Sequence, residues 1–202
     1  VRLDEKVLSK EDVLKLGIRV GDYVHLDPRV KVMDSGFIKS RHLDNKAGVI
    51  ALIAIAEHLV EQEIKPNFTT NFFISNYEEV GHGAAAAIPE KTSEFIARDM
   101  AALGEGQSSD EFSVTICAKD SSGPYDYDLK QRLVKLAEND NINYKVDIYP
   151  YYGSDGSAAL KAGNDIRVAL IGPGVHASHS FERTHIESIE NTIKLGIAYL
   201  TE

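Results

Sequence analysis

Lys46-Ala47-Gly48-Val49-Ile50-Ala51-Leu52-Ile53-Ala54-Ile55-Ala56-Glu57-His58-Leu59-Val60-Glu61 is apolar around most of a helical circumference, as a helix buried against a sheet must be. The run Phe72-Phe73-Ile74-Ser75-Asn76-Tyr77 that follows reads as a strand over 71–76. The same reading predicts strands at 94–98, 111–117, 144–148 and 168–171, and helices at 126–139, 154–162 and 186–200. Strands that alternate with helices define an α/β class, with a mixed, largely parallel sheet sandwiched by helices. Gly172-Pro173-Gly174 and Ser122-Gly123-Pro124-Tyr125 read as turns.

Upstream, the pattern differs. Ser9-Lys10-Glu11-Asp12 opens a short helix in the manner of a capping box, Gly17 closes it, and Tyr23-Val24-His25-Leu26 reads as a strand ended by Pro28. Residues 1–35 are therefore expected to be the remnant of a small β-rich domain, and residues 36–202 an α/β catalytic domain.

A chain of 202 residues, 43% hydrophobic, can bury one sizeable core. Its formal net charge of −9, without any Lys/Arg cluster, argues against a nucleic-acid partner. Cys117 is the only cysteine and lies in the alternating stretch Phe112-Ser113-Val114-Thr115-Ile116-Cys117, so it reads as an ordinary strand position. No apolar run reaches the ~18 residues needed to span a bilayer, which argues against a membrane partner. A reducing cytoplasm is the expected location.

Glu78 and Glu79 stand side by side where the apolar run 72–77 gives way to a loop. Two adjacent carboxylates there repel each other and lose solvation, and a bound cation or a shared proton offsets that cost. Asp44 and Asp99 occupy similar junctions, after Gly36-Phe37-Ile38 and after Phe95-Ile96-Ala97, and His179 lies beyond Val168-Ala169-Leu170-Ile171. In α/β sheets ligands bind outside the carboxyl ends of strands, and the acidic residues are expected to converge there. Singly, each has an ordinary role as helix cap, turn or polar loop residue. Together Asp44, Glu79, Asp99 and His179 form the oxygen and nitrogen set that suits zinc, cobalt or manganese, with Glu78 left over as a base.

Five segments carry a resemblance: Ser40-Arg41-His42-Leu43-Asp44-Asn45-Lys46, Tyr77-Glu78-Glu79-Val80-Gly81, Ile116-Cys117-Ala118-Lys119-Asp120, Tyr152-Gly153-Ser154-Asp155-Gly156 and Ser178-His179-Ser180-Phe181-Glu182-Arg183-Thr184-His185. In order and spacing, over nearly the whole chain, they resemble the tetrahedral, glutamyl or deblocking aminopeptidases, a dinuclear metallopeptidase family with a zinc-exopeptidase-like fold. The resemblance implies hydrolysis of N-terminal residues from peptides with two divalent metal ions. Asp44 would bridge both ions and precede a cis peptide to Asn45, Glu79 and His179 would complete one ion, Asp99 would bind the other, and Glu78 would be the general base. The family's homo-oligomer is a dodecamer. Apart from the resemblance, Gly153-Ser154-Asp155-Gly156 precedes a helix, where Asp155 is expected either to position substrate or to belong to a turn and N-cap. The resemblance departs at one point: the family's metal-binding His near the N-terminus has no counterpart before Asp44. The chain also opens without Met, so it is expected to be the C-terminal part of a longer protein.

Two other functions compete. A glycoside hydrolase also uses two carboxylates, and relatives often carry an endoglucanase label, but the chain has no Trp for a sugar platform. A catalytically incomplete subunit that serves assembly would need no metal.

Overall fold

The computed structural model describes residues 1–202. Helix α1 (Lys10–Lys15) starts at Ser9, whose hydroxyl accepts the Asp12 amide. The hairpin β1 (Lys31–Val32) and β2 (Phe37–Ser40) leads into α2 (Leu43–Glu61). Two 3-10 turns, Glu78–Val80 and Gly83–Ala85, precede β3 (Glu94–Arg98) and β4 (Ala101–Ala102). Then come β5 (Val114–Asp120), β6 (Gly123–Pro124), α3 (Tyr127–Asn139), β7 (Tyr144–Ile148), α4 (Asp155–Lys161), β8 (Arg167–Val175), β9 (Glu182–His185) and α5 (Ile186–Thr201).

The main sheet is mixed. β8 pairs in parallel with β3 and β4 and antiparallel with β5, which itself pairs in parallel with β7 and antiparallel with β6. A smaller antiparallel sheet has the order β1-β2-β9. Because successive strand residues point to opposite faces, Val114, Ile116, Ala169 and Ile171 join Leu129 and Leu133 of α3 and Leu195 of α5 in one core. Cys117, Val168 and Leu170 face the other way, against Tyr125 and Tyr149, where Val168 lies under Gly156 of α4. Each fully buried leucine in these layers contributes about 1.5–3 kcal/mol. The α2 residues Leu43, Ala47 and Ala51 close a third cluster with Met100, Val175 and Ile189.

Three local expectations are corrected. Residues 71–76 form no strand, because no backbone hydrogen bond joins them to a neighbouring chain segment; with β3 they line a groove of about 1420 Å³. Tyr23–Leu26 is likewise exposed and unpaired, so apolar alternation there finds no ladder. Gly172-Pro173-Gly174 is no turn but the inside of β8. At Gly172 a Cβ would collide with the Asp99 carbonyl, so the bare backbone lets the chain leaving β3 close on β8, where the Asp99 amide donates to the Ile171 carbonyl at 3.2 Å. No helix is long and apolar enough to cross a membrane.

Glu94, at the start of β3, gathers four elements: Arg132 of α3 donates to it at 2.7 and 3.1 Å, and Arg167 of β8 and Tyr199 of α5 complete its shell. Burial alone raises its carboxyl; the hydrogen bonds from Arg132 and Tyr199 and the charges of Arg132 and Arg167 override that and hold it below the ordinary value. A depressed folded value adds stability that is fully present above the unfolded pKa of about 4.3 and is lost as pH falls through the folded value. Glu94→Gln is therefore expected to lower stability by about 2 kcal/mol at pH 7. The gap to wild type, read by urea denaturation, should shrink below pH of about 4. An equal gap at pH 7 and pH 3 would refute the electrostatic account.

Candidate metal centre

The chain leaves β2 through Arg41 and His42, and His42 takes a left-handed conformation with φ 65°. Asp44 and Asn45 depart from helical geometry inside the start of α2, and the peptide between them is cis. Asn45 ties this entry to the sheet: its Nδ2 donates to the Arg98 carbonyl at 2.6 Å and its Oδ1 accepts the Gly48 amide at 3.0 Å. Asp44 does not cap the helix. Its carboxylate turns to the loop between β8 and β9, where the Ser178 hydroxyl donates to it at 2.6 Å and His179 Nε2 lies 3.3 Å away.

Glu78 and Glu79 ride on a 3-10 turn entered at Tyr77 (φ 64°) and left at Gly81 (φ 85°), both left-handed. The Tyr77 ring stacks on His82 at 5.4 Å and helps close this turn. Glu79 Oε2 reaches to 3.1 Å from His179 Nε2. Ligand atoms of Asp44, Glu79 and His179 all lie within 4.8 Å of one another, a spacing and donor set that fit a divalent ion. A cavity of about 230 Å³ between Arg41, His42, Asp44, Glu79, His179 and Glu182 opens onto this cluster.

Asp99 and Glu78 stand outside the converging trio. Asp99 follows β3, is buried, and its Oδ1 accepts the Met100 amide at 2.7 Å, while the Tyr152 hydroxyl donates to the Met100 carbonyl at 2.8 Å. Burial, then the charges of Glu78 and Asp44, pushes the Asp99 carboxyl well above its ordinary value. Burial also pushes Glu78 up to about 7, helped by the charges of Glu79, Asp155 and Asp44. Glu79 is raised in the same way, by burial and then by Asp44, with His179 opposing. Asp155 lines the larger groove along with Asp44, Glu78, Glu79 and Asp99, but its carboxylate is already engaged by Ser75 and Ala84.

Sequence reasoning missed Glu182. Only 2% exposed, its carboxylate accepts the Asp44 amide on Oε2 and the His179 amide on Oε1, each at 3.0 Å, and so holds two of the converging residues in one frame. A single acidic residue at a strand start has no periodic signature; only its burial reveals the role. Ser178, which donates to the Asp44 carboxylate from the loop after β8, was also missed, because a loop serine carries no local signal of a distant partner.

Residues 1–195 match the family profile described as M42 glutamyl aminopeptidase, and the chain belongs to that family. It shares 54% identity over 200 residues with the Bacillus subtilis (strain 168) protein named "Putative aminopeptidase YhfE", covering 99% of this chain and 58% of that one. The solved TET1 peptidase of Pyrococcus horikoshii is 25% identical, with a TM-score of 0.80 over 98% of this chain and 59% of its own. A TET aminopeptidase from Thaumarchaeota archaeon SCGC AB-539-E09, 18% identical, shares the fold with a TM-score of 0.86 over 98% of this chain and 58% of its own. The chain thus spans less than two thirds of the length of these relatives.

Glu182→Gln turns an amide donor toward one of the two backbone N–H groups it now accepts, and is expected to cost about 1–3 kcal/mol. Divalent-ion binding should weaken about tenfold, because the group that orients the ligands is lost. Denaturation and calorimetric titration with Zn²⁺ check both; unchanged Zn²⁺ affinity would show that Glu182 holds the fold but not the ligands.

Proposed function

We propose that this chain carries the catalytic centre of a metal-dependent aminopeptidase that hydrolyses N-terminal residues from peptides. The observation that supports it most is the convergence of Asp44, Glu79 and His179 beside Glu78, in a chain of the M42 glutamyl aminopeptidase family. Asp44, Glu79 and His179 would hold one divalent ion and Asp99, sharing Asp44, a second; zinc, cobalt and manganese suit these donors. When bound, such ions polarise a scissile carbonyl and make a water acidic enough to serve as nucleophile near neutral pH.

The protein's own groups do the rest. Glu78, kept off the donor trio, takes the proton of the attacking water and returns it to the leaving amine. Ser178 and Glu182 hold Asp44 and the His179 backbone in place, so the donors need no rearrangement.

The same proposal takes the protein to be a cytoplasmic homo-oligomer, since the Pyrococcus horikoshii relative assembles into a tetrahedron or a large octahedral shell. It also takes residues 1–35 as the remnant of a small β-rich unit, joined to the α/β domain where β1 pairs with β2. Glycoside hydrolysis finds less support, because Glu78 and Glu79 share one turn and do not oppose each other across a cleft.

Titration with Zn²⁺, Co²⁺ and Mn²⁺ and hydrolysis of a panel of aminoacyl anilides test the reading. Glu78→Gln should retain metal and lose about 10²–10⁴ in kcat, whereas Glu79→Gln should lose metal. Absence of divalent-ion binding by the wild-type chain, or anilide hydrolysis untouched by Glu78→Gln, would sink it.

A further inference from the structure

The turn that bears Glu78 and Glu79 has few ties to the rest of the molecule. Residues 65–76 make no backbone hydrogen bond, and the bonds of Tyr77, Gly81 and His82 stay within the turn itself. Between residues 71 and 85 the side-chain hydrogen bonds to the remainder of the fold end on one group, the Asp155 carboxylate. Its Oδ2 accepts the Ser75 hydroxyl at 2.5 Å and its Oδ1 accepts the Ala84 amide at 2.9 Å. The two partners flank Glu78 and Glu79 in sequence, so one carboxylate grips both ends of the segment that presents them. The one other polar tie is the Glu79–His179 contact inside the site.

Asp155 is itself firmly seated. It opens α4, whose N-terminus is capped by Ser154 and Ser157 in a reciprocal pair. The Ser154 hydroxyl meets Tyr125 at 2.7 Å, and the Tyr125 hydroxyl donates to buried Asp120 at 2.9 Å. This places the anchor on the sheet through β5. Gly83 completes the fit: a Cβ there would run into the Asp155 carboxylate and lie 2.9 Å from Ser75 Oγ and 3.0 Å from the Glu78 Cα. Ala84, wholly buried, packs the turn down beside it.

We infer that Asp155 is a positioning residue that clasps residues 75–84 and thereby sets Glu78 and Glu79 relative to Asp44 and His179. The inference rests on the proposed roles of Glu78 and Glu79. It assigns Asp155 a role through hydrogen bonds rather than a charge contact with substrate, since both of its oxygens are occupied. The distinction is experimentally sharp. In Asp155→Asn the amide oxygen still accepts from Ala84 and the amide nitrogen donates to the Ser75 hydroxyl, so the clasp survives while the charge is gone. In Asp155→Ala both bonds are lost.

The test compares wild type, Asp155→Asn, Asp155→Ala and Ser75→Ala as full chains, by amide hydrogen exchange over residues 77–85 without metal, and by Co²⁺ affinity and absorption spectrum. Asp155→Ala is expected to speed exchange in the turn and to weaken Co²⁺ about tenfold with an altered spectrum. Asp155→Asn should recover most of both losses, and Ser75→Ala, which removes one bond, should fall between. Exchange in Asp155→Ala equal to wild type would overturn the clasp, and so would Asp155→Asn behaving like Asp155→Ala. Should Asp155→Ala not fold, wild-type behaviour of Ser75→Ala, in exchange and in Co²⁺ affinity alike, overturns the inference. A wild-type chain that binds no Co²⁺ fails the functional proposal instead, and the metal-free exchange data still decide the clasp.

Discussion

Glu182 accepting two backbone amides is the contact on which the site hangs. One amide belongs to Asp44 at the head of α2 and the other to His179 in the loop after β8, so a single buried carboxylate joins segments 138 and 3 residues distant from it. Buried backbone N–H groups left without acceptors would cost about 1–3 kcal/mol each. With both satisfied, the backbones of Asp44 and His179 are held in one frame, and the Asp44 carboxylate and His179 Nε2 meet at 3.3 Å. Ser178 then fixes the last torsion of Asp44.

Around this frame the electrostatics are unfavourable by design of the packing. Glu78, Glu79 and Asp99 are each raised by burial first and by neighbouring carboxylates second, with His179 the one opposing side chain for the glutamates. A cluster of this kind favours either uptake of protons or a bound cation. The main sheet supports it: Gly172 lets the chain after β3 lie against β8, where the Asp99 amide donates to the Ile171 carbonyl. The clasp by Asp155 does for the glutamate turn what Glu182 does for Asp44 and His179. Three separate pieces of chain are thus each tied to a rigid element by a carboxylate that accepts backbone or hydroxyl donors.

Much of the α/β architecture was legible because periodicity is a local property. Helices α2, α3, α4 and α5 and strands β3, β7 and β8 fall where their apolar spacing places them, since each buries a face against a single sheet. Residues 71–76 and 23–26 show the limit. Both have strand-like composition, yet a strand exists only when a second segment supplies its hydrogen bonds, and in this chain none does. The Gly172-Pro173-Gly174 run failed in the opposite sense: turn-forming residues continue as a strand because the neighbouring backbones come too close for side chains.

The sequence by itself determined the α/β class and the family, through motifs at fixed spacing, and it singled out Asp44, Glu78, Glu79, Asp99 and His179 as chemically unusual where they stand. Only the tertiary structure decided which of these meet. Asp44, Glu79 and His179 converge, Asp99 and Glu78 lie to the side, and Glu182 and Asp155 emerge as the groups that hold the parts in register. The reason is physical: a residue's type and local pattern set what it can bond, whereas distance between residues far apart in sequence is fixed by how helices and sheet pack, and no local pattern carries that information.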